Sequence, residues 1–319
     1  MPALSRPPEG KPRVIVICGP TATGKTAVGV ELAAALGGEI ISADSMQVYR
    51  YLDIGTAKPT AAERAAAPHH LIDIVDPDEP FDAARYAALA REQVVALHRR
   101  GRVPLVVGGT GLYIKALLHG LFPADARDPA VRRRLAAEAE RVGIRQLHIR
   151  LAACDPETAS RLHPNDTARV LRALEVFEAT GRPIAALHRS HGFAETPFEA
   201  LVIGLAVERG RLYERIDRRV EAMLAAGFEE EVRGLLARGY GPELNSMQSI
   251  GYSHLCAMLA GRIDRAEAVR TLKRDTRRFA KRQLTWFRAV PGILWLPPEA
   301  AGDMLRRCRF FLSRAHPPG

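Results

Sequence analysis

The residues with the clearest chemical potential are Gly19-Pro20-Thr21-Ala22-Thr23-Gly24-Lys25-Thr26, which fit the pattern G-x-x-x-x-G-K-[ST]. An apolar run, Val14 to Cys18, precedes them with strand character, and Ala27 to Leu36 follows with helix character. Glycines at the two ends let backbone N–H groups turn inward around an anion, and the helix N-terminus adds its partial positive charge there. Lys25 supplies a mobile cation, and the Thr26 hydroxyl is placed to ligate a Mg²⁺ bridging phosphate oxygens. The loop alone does not say whether the bound phosphate is transferred, hydrolysed or discarded as a leaving group.

The elements that must position this loop belong to an open sheet. Glu39 to Ser42 reads as a second strand running into Ala43-Asp44, and the carboxyl ends of parallel strands line the ligand crevice. Asp44 should therefore project beside the phosphate loop, although an aspartate there also suits a helix N-cap. Ser45, Gln47 and Tyr49 add a hydroxyl, an amide and a ring nearby. Val103 to Val107 is a fully buried type of strand that runs into Gly108-Gly109-Thr110-Gly111. An NTPase would end this strand in Asp or Glu, so the glycines weaken that reading. They permit a ligand to approach the backbone closely. Thr110 can hydrogen-bond inside the crevice, or simply cap the following helix.

At 319 residues the chain can bury one large α/β domain and a smaller one. The expected class is α/β: a P-loop core with a mostly parallel sheet flanked by helices, plus a helical insertion domain. Residues 13–121 and 200–298 form the core with its C-terminal basic helices, 122–199 the insertion, and 299–319 a C-terminal helix and tail, while 1–12 read as a disordered tail. His69 to Asp76 reads as a further strand, Phe81 to Arg100 and Val131 to Arg150 as helices, and Leu201 to Val207 as a return to the sheet. The adjacent His69 and His70 would point to opposite faces of a strand, a poor arrangement for one metal.

Lys and Arg total 46 against 36 Asp and Glu, a formal net charge of +10, which favours a polyanionic partner over simple solubility. Arg169 and Arg172 share a helix face after His163-Pro164-Asn165-Asp166, with Asn165 or Asp166 as the cap. Arg209, and less directly Arg215, lie where the chain returns to the phosphate loop and could reach a diphosphate. The last long helix carries Lys273, Arg274, Arg277, Arg278, Lys281, Arg282 and Arg288 for phosphate contacts, with Phe279 and Trp286 assigned to packing. Four cysteines without a C-x-x-C pair indicate a reduced, cytoplasmic protein with no zinc ribbon or disulfide framework. No apolar run is long enough to span a bilayer.

Taken in order, the phosphate loop, Ser42 to Tyr49, Asp53 to Pro59, Gly108 to Tyr113, His163 to Asp166, Ile250-Gly251-Tyr252 and Ala280 to Arg288 resemble the bacterial tRNA dimethylallyltransferase (tRNA isopentenyltransferase) family. The resemblance runs from about Val14 to about Trp295. It implies transfer of a dimethylallyl group from dimethylallyl diphosphate to N6 of the adenosine on the 3′ side of the anticodon in tRNA. By that likeness Gly19 to Thr26 hold the diphosphate, Lys25, Thr26 and Mg²⁺ neutralise its growing charge, Asp44 is the general base, and Thr110 orients the reacting groups. Contacts to the anticodon stem-loop map to Asp44, Ser45, Met46 and Gln47, to Thr110 and Arg132, to Ala168, Arg169, Val170, Leu171 and Arg172, and to Gln248, Ser249, Ile250, Gly251, Tyr252 and Ser253. The basic helix adds Lys281 and Arg282.

One departure stands out: many relatives carry Lys or Arg after the Gly-Tyr pair, whereas Ser253-His254 stands here. A phosphate contact there is lost or passes to His254. Two other readings of the same residues are a nucleotide or small-molecule kinase, with Arg209 and Asp44 as lid and acceptor groups, and a nucleotide-switched RNA-binding protein without transfer chemistry. A monomer is the default expectation.

Overall fold

In a computed structural model, residues 10–121, 128–191 and 195–314 are described. The expected tail before residue 10, the linker at 122–127 and the last five residues lie outside them. The described chain forms two compact units, one from residues up to Leu118 and from Pro197 onward, the other His119–Thr196.

The larger unit is built on β1 (Arg13–Cys18), β2 (Gly38–Ser42), β3 (His69–His70), β4 (Val103–Gly108), β5 (Glu199–Leu205) and β6 (Leu294–Leu296). Every pairing is parallel, in the order β3-β2-β4-β1-β5-β6. Strand β4 lies between β1 and β2, so the chain after β1 crosses over it by way of α1 (Lys25–Leu36). Strand β5 pairs with β1 along its whole length and β4 from Ile15 to Cys18, and the apolar run Val14 to Cys18 is fully buried, as a doubly covered sheet requires.

On one face, Ile15, Ile17, Leu105, Val107, Ile203 and Leu205 pack against α1 and the C-terminal helix. The helices α2 (Ala61–Ala66), α3 (Ala83–Arg99) and α4 (Gly111–His119) follow in the first half, with α3 against β2 and β4. In the second half α10 (Arg209–Ala225), α11 (Phe228–Ala237), α12 (Tyr252–Leu259) and α13 (Arg265–Arg288) enclose a second core with Val48, Tyr49, Leu52 and Val75, before α14 (Ala301–Ser313). The smaller unit consists of α5 (Pro129–Val142), α6 (Ile144–Cys154), α7 (Pro156–Arg161), α8 (Thr167–Thr180) and α9 (Ile184–His191) around Leu135, Leu147, Leu151, Val170 and Leu174. Buried Asp155 ties α7 to α9, accepting from Thr158 N (3.0 Å) and Ala185 N (3.2 Å).

Two expected elements differ. The strand at His69–Asp76 is only two residues long, because Leu71 (φ 61°) and Asp73 (φ 58°) turn left-handed. Asp73 is held there by Lys58 and by Arg64 (3.1 Å). The single helix expected over Val131–Arg150 is two, broken at Gly143 (φ 84°).

The sheet edge that carries the site is set by one close approach. A Cβ on Gly108 would lie 2.1 Å from the Ala43 carbonyl oxygen and 2.3 Å from its carbon. Gly108→Ala is therefore expected to destabilise the fold by at least about 1–3 kcal/mol in urea unfolding, as overpacking against backbone does. By contrast Gly234→Ala, in open space on α11, should stabilise by about 0.5–1 kcal/mol.

Candidate active site

A crevice of about 720 Å³ opens over the carboxyl ends of β1, β2 and β4 and is lined entirely by the larger unit. Gly19 (φ 143°), Ala22 (φ 63°) and Gly24 (φ 92°) bend the loop so that α1 begins at Lys25, which lines the crevice. Buried Thr23 closes the loop by donating to Pro20 O (2.9 Å), and Lys25 Nζ donates to the same carbonyl (2.7 Å). Burial, then nearby Arg219, lowers the Lys25 ammonium to about 8. Cys18, just behind, is pushed up to about 12 by burial and is inert as a thiol.

Asp44 stands directly across. Its Oδ1 accepts from Met46 N (2.8 Å) and Gln47 N (3.3 Å), so it does cap a turn, while Oδ2 remains for other chemistry. Thr110 is bound to the same segment: its N–H donates to Ala43 O (3.1 Å) and its Oγ1 accepts from Ser45 N (3.0 Å), leaving the hydroxyl proton to donate into the crevice.

The arginine in the crevice is not one of the two expected at a diphosphate. Arg209 sits at the start of α10, bonded to Tyr213 Oη (3.2 Å) and stacked over that ring, and does not line the crevice. Arg215 is paired with Glu299 (3.1 Å). Arg219, further along the same helix face, lines the crevice with Lys25 and Asp44. Its guanidinium pKa is lowered by burial and supported by Asp44. Counting arginines could not select among five on one helix; their burial does.

Two further residues were not legible as site builders. Gln283 of α13 accepts from Thr21 N (2.9 Å) and donates to Gly109 O (2.8 Å). Glu231 of α11 accepts from Asp53, Ile54 and Gly55 N (3.0, 2.6 and 3.1 Å) and from Tyr252 Oη (2.6 Å), fixing the crevice wall. The glycines after β4 make room for the protein's own side chains: a Cβ on Gly109 would meet Gln283 at 2.5 Å and one on Gly111 would meet the Trp286 ring at 2.2 Å. Trp286 and Phe279, expected in the core, are 42% and 37% exposed, and Phe279 lines the crevice. Ile216, Val220, Met223, Phe228 and Leu272 give the remaining wall an apolar surface.

Residues 47–290 match the IPP transferase family. A relative from Desulfosudis oleivorans, a tRNA dimethylallyltransferase, is 60% identical over 95% of this chain and 96% of its own. One from Syntrophobacter fumaroxidans, of the same name, is 56% identical over 92% and 86%. The chain belongs to the IPP transferase family. Among solved structures, the tRNA isopentenylpyrophosphate transferase of Bacillus halodurans superposes with a TM-score of 0.72 at 42% identity, covering 95% of this chain and 97% of that one. A eukaryotic dimethylallyltransferase acting on tRNA gives 0.79 at 29% identity over 96% and 81%.

The residues that the family likeness assigned to RNA divide in two. Ser45, Met46, Gln47, Thr110, Gln248, Ser249, Ile250, Gly251, Tyr252 and Arg282 line the crevice with Asp44. The Gln47 amide is already spent on Ser42 Oγ (3.1 Å) and on Thr56 O and Ala57 O (3.3 Å each), so it shapes the wall. Tyr252 is buried with its hydroxyl on Glu231, and Ser253 Oγ donates to Ser249 O (3.0 Å) outside the lining. Both ring nitrogens of His254 have protein partners: Nε2 meets Asp275 (3.2 Å) and Nδ1 accepts from Gly251 N (3.4 Å). In the helical unit Ala168 and Arg169 are exposed, but Val170 and Leu171 are buried in its core, where their side chains cannot touch RNA. Arg132 and Arg172 both pair with Glu175 (3.6 and 3.0 Å). On α13, Lys273, Arg274, Arg277 and Arg278 are paired with acids, whereas Lys281 and Arg282 are exposed with no acidic partner among the described residues.

The crevice also fits a hard cation. The Thr26 hydroxyl is an oxygen donor on the cavity, and no group of three His, Cys, Asp or Glu among the described residues could hold a metal unaided. A Mg²⁺ there needs phosphate oxygens to complete its shell.

The depressed Lys25 gives a measurable signature. An anion favours the ammonium and raises its pKa on binding, so diphosphate binding takes up a proton between about pH 8 and the bound value. Affinity should fall as pH rises through that window. Calorimetry at pH 8.5 in buffers of different ionisation heat should show more proton uptake by the wild type than by Lys25→Arg; equal uptake would mean that Lys25 is already fully charged.

Proposed function

We propose that this chain transfers the dimethylallyl group of dimethylallyl diphosphate to N6 of the adenosine 3′-adjacent to the anticodon in tRNA, releasing diphosphate. The observation that carries the reading is the composition of one crevice: two cations, Lys25 and Arg219, facing a carboxylate with a free oxygen, Asp44, beside an apolar wall. That set suits a substrate that is anionic at one end and hydrocarbon at the other.

The reaction follows from the placement. The N6 lone pair attacks C1 of the allyl group, the C1–O bond breaks, and its electron pair leaves with the diphosphate. Backbone N–H groups of the loop, Lys25 and Arg219 meet the negative charge as it grows. Asp44 Oδ2 accepts the proton released from N6, while Oδ1 remains fixed by Met46 and Gln47 N–H. A bound Mg²⁺, held by Thr26 and the substrate oxygens, would neutralise charge on the leaving group. An exocyclic amine is a weak nucleophile, so positioning by Thr110 and exclusion of water by the apolar wall contribute much of the acceleration.

The same family likeness supports tRNA as acceptor, and unpaired Lys281 and Arg282 beside the crevice supply phosphate contacts. The acceptor base must leave its stack to enter a cavity of this size. All four cysteines are free, which fits a reducing, cytoplasmic setting. No described helix is long and apolar enough to cross a membrane.

Incubation with radiolabelled dimethylallyl diphosphate, Mg²⁺ and unmodified tRNA, then digestion to nucleosides, should place the label on adenosine. Unlabelled adenosine together with ATP turnover would replace this reading with the kinase or switch alternative. Asp44→Ala should lower transfer about 10²–10⁴-fold with tRNA affinity nearly intact; equal loss of both would make Asp44 structural. Replacing Lys281 and Arg282 by Ala should weaken tRNA binding and reduce the slope of log K against log salt by about 0.7–0.9 per lost phosphate contact. An unchanged slope would place them on a merely solvated face.

A further inference from the structure

The side chain of Gln283 joins segments far apart in sequence. It projects from α13 with 9% of the residue exposed. Its carbonyl oxygen accepts from Thr21 N, inside the phosphate loop, and its amide donates to Gly109 O, one residue before Thr110. Donor and acceptor are thus both used, each at normal length (2.9 and 2.8 Å). The absence of a Cβ at Gly109 makes room for the second bond, since one there would lie 2.5 Å from Nε2.

Beyond Gly109 the connection continues through Thr110, which holds Ala43 O and Ser45 N, to Asp44. The phosphate loop and the carboxylate wall therefore share a side-chain strut. The pairing of β1 with β4 ends at Cys18 and Gly108, and this side chain bridges the two loops beyond it. The strut also roots both loops in the helix that presents Lys281 and Arg282 two residues and one residue earlier.

We propose that Gln283 is a positioning residue: its amide sets the phosphate loop in register with Thr110 and Asp44, so that the leaving diphosphate and the proton acceptor are held at a fixed separation. This deepens the transferase reading and rests on it for the chemistry, but the register itself is a property of the protein alone. Only an amide, or a group with its paired donor and acceptor, can bridge an N–H and a carbonyl in this way. Leucine has similar bulk and neither function. Ionised glutamate keeps the acceptor for Thr21 but sets a second oxygen against Gly109 O; protonated glutamate regains a donor and imitates the amide.

The test uses the full chain with Gln283→Leu and Gln283→Glu, inorganic diphosphate with Mg²⁺ as the probe, and amide hydrogen exchange of the loop. In Gln283→Leu the Thr21 amide should exchange at least about tenfold faster than in wild type, with α1 amides unchanged. Diphosphate affinity should fall about tenfold, with tRNA affinity unchanged in the absence of donor; in turnover, KM for the donor should rise and kcat fall together. In Gln283→Glu, which at pH 8 keeps the acceptor but not the donor, diphosphate affinity should also fall. Wild-type exchange at Thr21 in Gln283→Leu, or wild-type diphosphate affinity in both variants, would overturn the proposal and leave Gln283 as packing. Loss of prenyl transfer in the wild type would instead strike the transferase reading, while the exchange and diphosphate results would still decide the role of Gln283.

Discussion

The site depends on a meeting of backbones at the ends of β2 and β4. Ala43 N donates to Val107 O (2.8 Å), Thr110 N donates to Ala43 O (3.1 Å), and Gly108 has no side chain because Ala43 occupies the place of its Cβ. Those contacts bring the segment of Asp44 against that of Thr110. Since β4 also pairs with β1, the same edge places both beside the phosphate loop. A parallel sheet thus converts strand order into a fixed triangle of loops, and the crevice is the space between them.

Charge in that space has a direction. Lys25 and Arg219 are crowded enough that burial lowers both pKa values, and Asp44 partly compensates them. A diphosphate relieves this crowding most fully when it carries its greatest negative charge, that is, as it departs. The end of β4 offers glycines and a threonine in place of the carboxylate that NTP hydrolysis uses, and the wall continues into Ile216, Val220, Met223 and Leu272 rather than a polar nucleotide pocket. These features favour cleavage at carbon over phosphoryl transfer.

Much of this was legible in the chain. The phosphate loop, Asp44 and Thr110 are local patterns at strand ends, and strand ends are where an α/β sheet exposes chemistry. Residues that act over long sequence separations were not: Gln283 lies 262 positions from Thr21 and Glu231 lies 177 from Ile54. Arg219 was hidden among five arginines because helical spacing selects a face but not a depth along it. The positive balance also includes cations with partners of their own: Arg132 and Arg172 pair with Glu175, and Arg274 and Arg278 with Asp275, whose carboxyl group is held well below the usual range by Arg274. Net charge is a sum over the chain and carries no information on which cations are already partnered.

The central claim is that the phosphate loop holds a leaving group, so that the bond broken is carbon–oxygen. Dimethylallyl diphosphate carrying ¹⁸O in the C1–O–P bridge separates the two chemistries by mass spectrometry of the released phosphate species. If the account is right, the bridging ¹⁸O leaves with diphosphate and none remains on the five-carbon unit. Retention of ¹⁸O on carbon would mean that a phosphorus–oxygen bond had broken, and would contradict it.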